Sequence, residues 1–258
     1  MTSNQRLIKG LAIGLAAIII LSMIGALIFV IGFFTNLNDD SEVTYKTYDI
    51  KDVSNINVEL AASNLTIKNG EVFKIEITDR TEYKVENDTL YIKEKNKIFN
   101  KRLYNMIIYL PYGIVYDDIK IKGGAGNISM DKISAKTLSL DLGAGKATIG
   151  NIDITNKLVV NGGAGDFKIS NGDINKIDID MGVGNFDINA TIIHGGNIDV
   201  GVGNLDIDLT DDISNYSFDI TKGVGSIKVD GNNVSKGTVG NGPSLIHING
   251  GVGSIKVY

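Results

Sequence analysis

Residues 182–188 read GVGNFDI and residues 201–207 read GVGNLDI, while GVGSIKV stands at 223–229 and again, letter for letter, at 251–257. The triplet G-A-G or G-V-G opens seven such stretches, with first glycines Gly124, Gly143, Gly163, Gly182, Gly201, Gly223 and Gly251. The intervals between them are 19, 20, 19, 19, 22 and 28 residues. Self-similarity at a fixed period of this length is the signature of a solenoid, in which a repeat buries its apolar face only against its neighbours.

The residues around each triplet say what a repeat is made of. Apolar and polar side chains alternate before it (Ile177, Ile179, Met181) and after it (Phe186, Ile188; Leu205, Ile207; Ile227, Val229). Period two denotes strands with one buried face. The phase slips by one residue across the triplet, which would flip every side chain unless the chain bends there. The triplet is therefore read as a corner or bulge, its Ala or Val pointing inward and its glycines supplying positive φ or close backbone approach. The alternate positions Asp178, Asp180, Asp187, Asp199, Asp206, Asp208 and Asp219 fall outward, as an acidic solvated surface.

The pattern stays β from Tyr48 to Lys122, with turn signals at Asn69-Gly70 and Asn87-Asp88. AASNLTI at 61–67 reads as a degenerate coil lacking its glycines, as an atypical terminal repeat should. The long interval after Gly223 holds Gly231-Asn232-Asn233 and Gly240-Asn241-Gly242-Pro243, read as a loop insertion projecting from the solenoid. Because the chain stops at Tyr258, just after a strand, the last coil is expected to present an open edge.

Before the solenoid, Leu11–Phe34 contains no charged residue. A helix of that length, at about 1.5 Å per residue, crosses a hydrocarbon core of about 30 Å. It is too long for the apolar region of a cleaved signal peptide and lacks a small-x-small site, so it reads as a retained signal anchor. Arg6 and Lys9 precede the span, whereas Asp39, Asp40 and Glu42 follow it. Positive charge stays inside, giving a cytoplasmic 1–10, a transmembrane 11–34, a stalk at 35–45 and an extracytoplasmic all-β single domain at 46–258.

Composition narrows the function. The net charge of -5 excludes a basic nucleic-acid footprint, and the absence of Cys excludes disulfides and thiolate chemistry. The glycines do not form a nucleotide loop. Leu140 replaces the first glycine of a Walker pattern ending at Gly145-Lys146, and Thr148 replaces the last glycine of a dinucleotide pattern begun at Gly143. Gly162-Gly163-Ala164-Gly165-Asp166 has a calcium β-roll flavour, but the Asp stands one place early and the period is wrong, leaving weak surface calcium binding as a point to test. His194 and His247 lack neighbouring ligands and read as ordinary surface or turn residues. The three arginines, Arg6, Arg80 and Arg102, and the repeat-following carboxylates make no singular constellation. No residue is nominated as catalytic, cofactor-binding or metal-ligating.

The stretch Ile107-Ile108-Tyr109-Leu110-Pro111, the run from Ile119 to Ile128 through Gly124-Ala125-Gly126-Asn127, and the serial coils that follow together resemble the bacterial Toastrack family, also called "putative adhesin" domains, from about residue 45 to the end. The resemblance implies a β-helical extracytoplasmic domain, often tethered by a membrane helix and sometimes associated with envelope-stress systems; it implies no catalytic or binding residues. The expectation is a non-enzymatic, membrane-anchored envelope module that contacts another envelope protein or a cell-wall polymer. A polysaccharide-active enzyme and a passive spacer are the alternatives.

Overall fold

The computed structural model describes residues 43–95 and 104–258, in which strands account for nearly all regular structure. The expected anchor at 11–34, the segment 1–10 and most of the stalk lie outside them. The last stalk residue, Tyr45, already belongs to the first strand, Tyr45–Asp49. Among the described residues the only helical element is a 3-10 turn at Ile213–Asn215, and no helix is long and apolar enough to cross a membrane.

The coils stack in parallel register. Residues 55–60 lie against 118–123, which lie against 137–142. Residues 177–181 pair on one side with 158–162 and on the other with 196–200. Inward positions line up through the stack: Phe167, Phe186, Leu205, Ile255 and Ile227 form one column, Val160, Ile179, Ile198, Ile248 and Ile220 another. All ten are buried. The parity slip is real: Met181 and Phe186, five positions apart, both face in.

The triplet itself differs from expectation. Val183, Val202, Val252 and Val224 are 51, 48, 50 and 67% exposed, and the corresponding alanines of earlier coils also lie at the surface. The middle residue points out, not in. The corner is convex, so its tip radiates into solvent, and the change of parity is completed at the second glycine. Gly203 shows how: its φ is +146°, and a Cβ there would sit 1.7 Å from the carbonyl oxygen of Gly184 in the preceding coil. Gly182 has no positive φ in this range, yet its Cβ would lie 2.6 Å from the Gly163 carbonyl. Close approach of coil to coil, as well as backbone conformation, thus demands glycine.

The two ends depart most from a simple winding. Residues 246–250 pair with 196–200 on one side and with 218–222 on the other. The last coil in sequence is therefore slotted between two earlier ones, and the expected open edge at Tyr258 does not exist. The segment expected to project as a loop instead forms antiparallel cover: Gly237–Gly240 runs along Tyr216–Val224, and Asn232–Asn233 along Ile227–Val229. The first end repeats the device. Strands Thr89–Glu94 and Asn105–Pro111 lie outside Asn55–Leu60 and Asn64–Gly70. Thr81–Glu86 and Lys74–Thr78 then add antiparallel, and Tyr45–Asp49 pairs antiparallel with Lys74–Thr78. Short antiparallel strands at both ends limit the parallel edges that would otherwise invite further chains.

Charged side chains mark both ends of the corner column. The position before each triplet holds Leu60, Leu142, Met181 or Val200, or a glycine (Gly123, Gly162, Gly250), in the middle coils but Glu94 at one end and Lys222 at the other. Glu94 Oε2 accepts the backbone N–H groups of Ala61, Ala62 and Ser63 at 2.7, 3.1 and 3.1 Å. The Lys222 ammonium donates to the carbonyls of Ser226, at 3.0 Å, and Gly253. Each supplies hydrogen bonds to corner peptides from a charged side chain.

Candidate functional site

Any site must lie on the outward surface, and that surface is organised by ladders. The residue after each triplet forms one of them. Asn64 Nδ2 donates to Asn105 Oδ1 at 3.0 Å, and Asn64 Oδ1 accepts the Asn127 backbone N–H at 2.8 Å. Farther along, Asn185 donates to Asp166 at 3.0 Å, Asn204 donates to Asn185 at 3.1 Å, and the Ser254 hydroxyl donates to Asn204 at 2.6 Å. The repeated Asn, Asp or Ser of the motif is thereby explained as a hydrogen-bonded ladder between coils.

The outward carboxylates also find partners between coils. Asp178 pairs with Lys157 at 2.7 Å, Asp187 with Lys168, and Asp206 with Lys256 at 3.5 Å. Asp199 accepts the Asn249 amide at 2.5 Å. All are half-exposed, where such pairs contribute about 0–1 kcal/mol each, so the ladders set register more than stability.

The histidines are brought into two different settings. His194 Nδ1 is 2.5 Å from Asn175 Oδ1 at a turn, and His247 Nδ1 is 3.2 Å from Asp219 on a strand face. Among the described residues no three His, Asp or Glu side chains converge as a metal site would require.

Two features were invisible in the sequence reading. The first is the exposed corner ridge, where Val183, Val202, Val252 and Val224 are successive partners in register and Ala164 continues the line beyond Val183. With strands about 4.8 Å apart, the four valines span about 14 Å of apolar edge beside bare glycine backbone. The second is a cleft of about 560 Å³ near the first end, lined by Asn57, Glu59, Tyr83, Tyr91 and Lys93 among others. Asn57 Oδ1 in its wall is the one buried side-chain oxygen or nitrogen without a hydrogen-bond partner among the described residues. A ligand donor reaching it would gain a bond that the protein leaves unmade. The G-V-G repeats could have revealed the ridge had the corner been taken as convex; no local signal marks Asn57, whose neighbours come from three separate strands.

Comparison with solved structures finds distant likeness over most of the chain. A "putative cell adhesion protein" from Clostridium sporogenes shares 18% identity, covering 84% of this chain and 99% of its own, with a TM-score of 0.37. For a "putative adhesin" from Bacteroides fragilis the values are 17%, 85%, 98% and 0.43. For another from Parabacteroides distasonis they are 13%, 85%, 98% and 0.42. No curated protein matches the chain. The family comparison is decisive: the Toastrack DUF4097 pattern matches residues 37–239, and the chain belongs to that family.

Proposed function

We propose that the chain is a non-enzymatic, single-pass membrane protein whose solenoid serves outside the membrane as an interaction module for another envelope protein. The observation that carries this reading is the corner ridge. Four half-exposed valines in a line, rimmed by polar ladders, give a partner apolar area to cover. The ladder pairing of the outward carboxylates supports the non-enzymatic part, since a hydrolase needs carboxyl groups held for substrate. The uncharged 11–34 and its charge asymmetry support the tether and the orientation.

A photo-crosslinking residue at Val202, introduced into the full chain in native membranes, tests the reading. A discrete adduct at Val202, and none from the same residue at Lys120 on a strand face, is the expected result. Absence of any adduct at either position would favour a passive spacer. A second reading, contact with a wall polymer, draws on the Asn57 cleft, whose two tyrosines and charged rim suit a hydroxyl-rich ligand. Wall glycans retained by the native chain and released by Asn57→Ala would favour it, and glycan cleavage abolished by one Asp→Asn change would instead make the protein an enzyme.

A further inference from the structure

The two ends of the solenoid share a topology but not a surface. At the far end the covering strands expose Asn232, Asn233, Gly237 and Thr238. At the first end the cover exposes Tyr83 and Val85, 36 and 45% accessible. The turn leaving Asn105–Pro111 exposes Tyr112, Ile114 and Val115 at 68, 47 and 50%. Val72, 56% exposed, belongs to the neighbouring turn, and the Tyr112 N–H donates to the Gly70 carbonyl at 3.1 Å, joining the two turns.

This apolar corner is built rather than loose. Gly113 takes φ +77° at the tip, a conformation that fixes a tight turn and holds Tyr112 outward. Tyr112, Ile114 and Val115 line one shallow cleft with Lys132 and Asp153 at its margin. Immediately after Val115 the chain returns inside with Tyr116, which is buried. The protein thus interrupts its alternation for three apolar residues and leaves them in water, at the end where the chain enters the fold.

The chain preceding the fold says what would cover them. The described residues begin at Val43 and enter the outermost strand at this same end. Only residues 35–42 separate Val43 from the uncharged stretch 11–34. Fully extended, that connection reaches about 30 Å at most, at about 3.5 Å per residue. If 11–34 spans a bilayer, the first end is held within that distance of the lipid headgroups and the far end is not. Tyr with aliphatic neighbours is the composition that favours the bilayer interface, where a phenol stays hydrated while its ring enters the apolar boundary, and a marginal lysine can keep its ammonium in water.

We infer that the corner formed by Val72, Tyr112, Ile114 and Val115 docks on the bilayer surface, so that the solenoid meets the membrane by its first end and presents its far end and ridge away from it. This inference rests on the membrane-tethered reading above. Because the chain has no cysteine, single probes can be placed cleanly. The full-length variants Tyr112→Cys and, as the far-end control, Thr238→Cys are labelled with an environment-sensitive fluorophore. They are then reconstituted into phosphatidylcholine vesicles containing spin-labelled phosphatidylcholine.

The expected result is loss of most emission at position 112 and little change at 238, with quenching at 112 relieved when Ile114 and Val115 are both replaced by Ser. Vesicle flotation is read on the same samples. Protein that floats with the vesicles but is quenched equally weakly at both positions overturns the docking and leaves the tether standing. Protein that fails to float overturns both. A photo-crosslinker at Tyr112 that captures a protein rather than lipid in native membranes also overturns the lipid assignment.

Discussion

Replacement of Gly203 by Ala tests whether the corner glycines are architectural. Gly203 has φ +146°, and its Cβ would lie 1.7 Å from the Gly184 carbonyl oxygen. The backbone conformation alone costs an L-residue about 1–3 kcal/mol. Relieving the overlap requires the two coils to part by more than 1 Å against a spacing of about 4.8 Å. That weakens the corner's inter-coil hydrogen bonds, each worth about 1 kcal/mol net. Together the cost is about 3–5 kcal/mol, or a fall in Tm of about 10 °C for a domain of this size. Gly113→Ala is the control: it also has positive φ, +77°, but its Cβ would meet nothing within 4 Å, so only the conformational cost of about 1–2 kcal/mol applies. Thermal melts of the full chain in one detergent, followed by far-UV circular dichroism, measure both. Equal losses for the two variants would refute the coil-contact argument, and a Gly203→Ala loss below that of Gly113→Ala would refute the reading of the corner.

Further outcomes follow from the same geometry. Val200→Ser, at a 6% exposed inward position, should cost about 2 kcal/mol or more, whereas Val202→Ser, two residues later and half-exposed, should stay within about 0.5 kcal/mol; a reversed order in urea melts would restore an inward triplet. Glu94→Ala removes the acceptor of three corner N–H groups, and should destabilise by about 2–3 kcal/mol, with faster hydrogen exchange at Ala61–Ser63. Unchanged exchange there would show the carboxylate to be dispensable. Burial foremost, and secondarily the negative charge of Asp52, raises the Tyr116 phenol above its ordinary value of 10.0. The native state then keeps a proton that the unfolded chain releases, so this stabilisation is complete below about pH 10 and is lost as pH rises beyond it. Tyr116→Phe should flatten the alkaline decline of Tm, and an identical decline in the variant would place its cause elsewhere.

Much of the fold was legible because solenoid physics is local and repetitive. Alternation at 177–181 and 186–188 identified buried positions, and the five-residue step from Met181 to Phe186 identified a bend. The degenerate AASNLTI coil took its place in register, with Asn64 in the same ladder as Asn127. The direction of the valines was misjudged because parity counted along a flat strand does not survive a convex corner. The cleft at Asn57 was not legible at all, since it is assembled from segments tens of residues apart.

The sequence by itself determined that this chain winds in coils of about twenty residues, which side chains of the alternating strands face the core, and that glycines occupy the bends; each follows from backbone sterics and burial within one repeat. Coil order was decided only in three dimensions. GVGSIKV at 223–229 and at 251–257 is the same string, so no local preference can say which copy lies against residues 203–207. The tertiary structure gives that place to 253–257 and sends 223–229 outward. The reason is the segment between them: residues 232–233 and 237–240 pair antiparallel with the coil before them and cover its outer edge, which leaves the closing coil the slot inside. An identical surface can be buried or capped, and what distinguishes the two copies is the rest of the chain that must be satisfied around them.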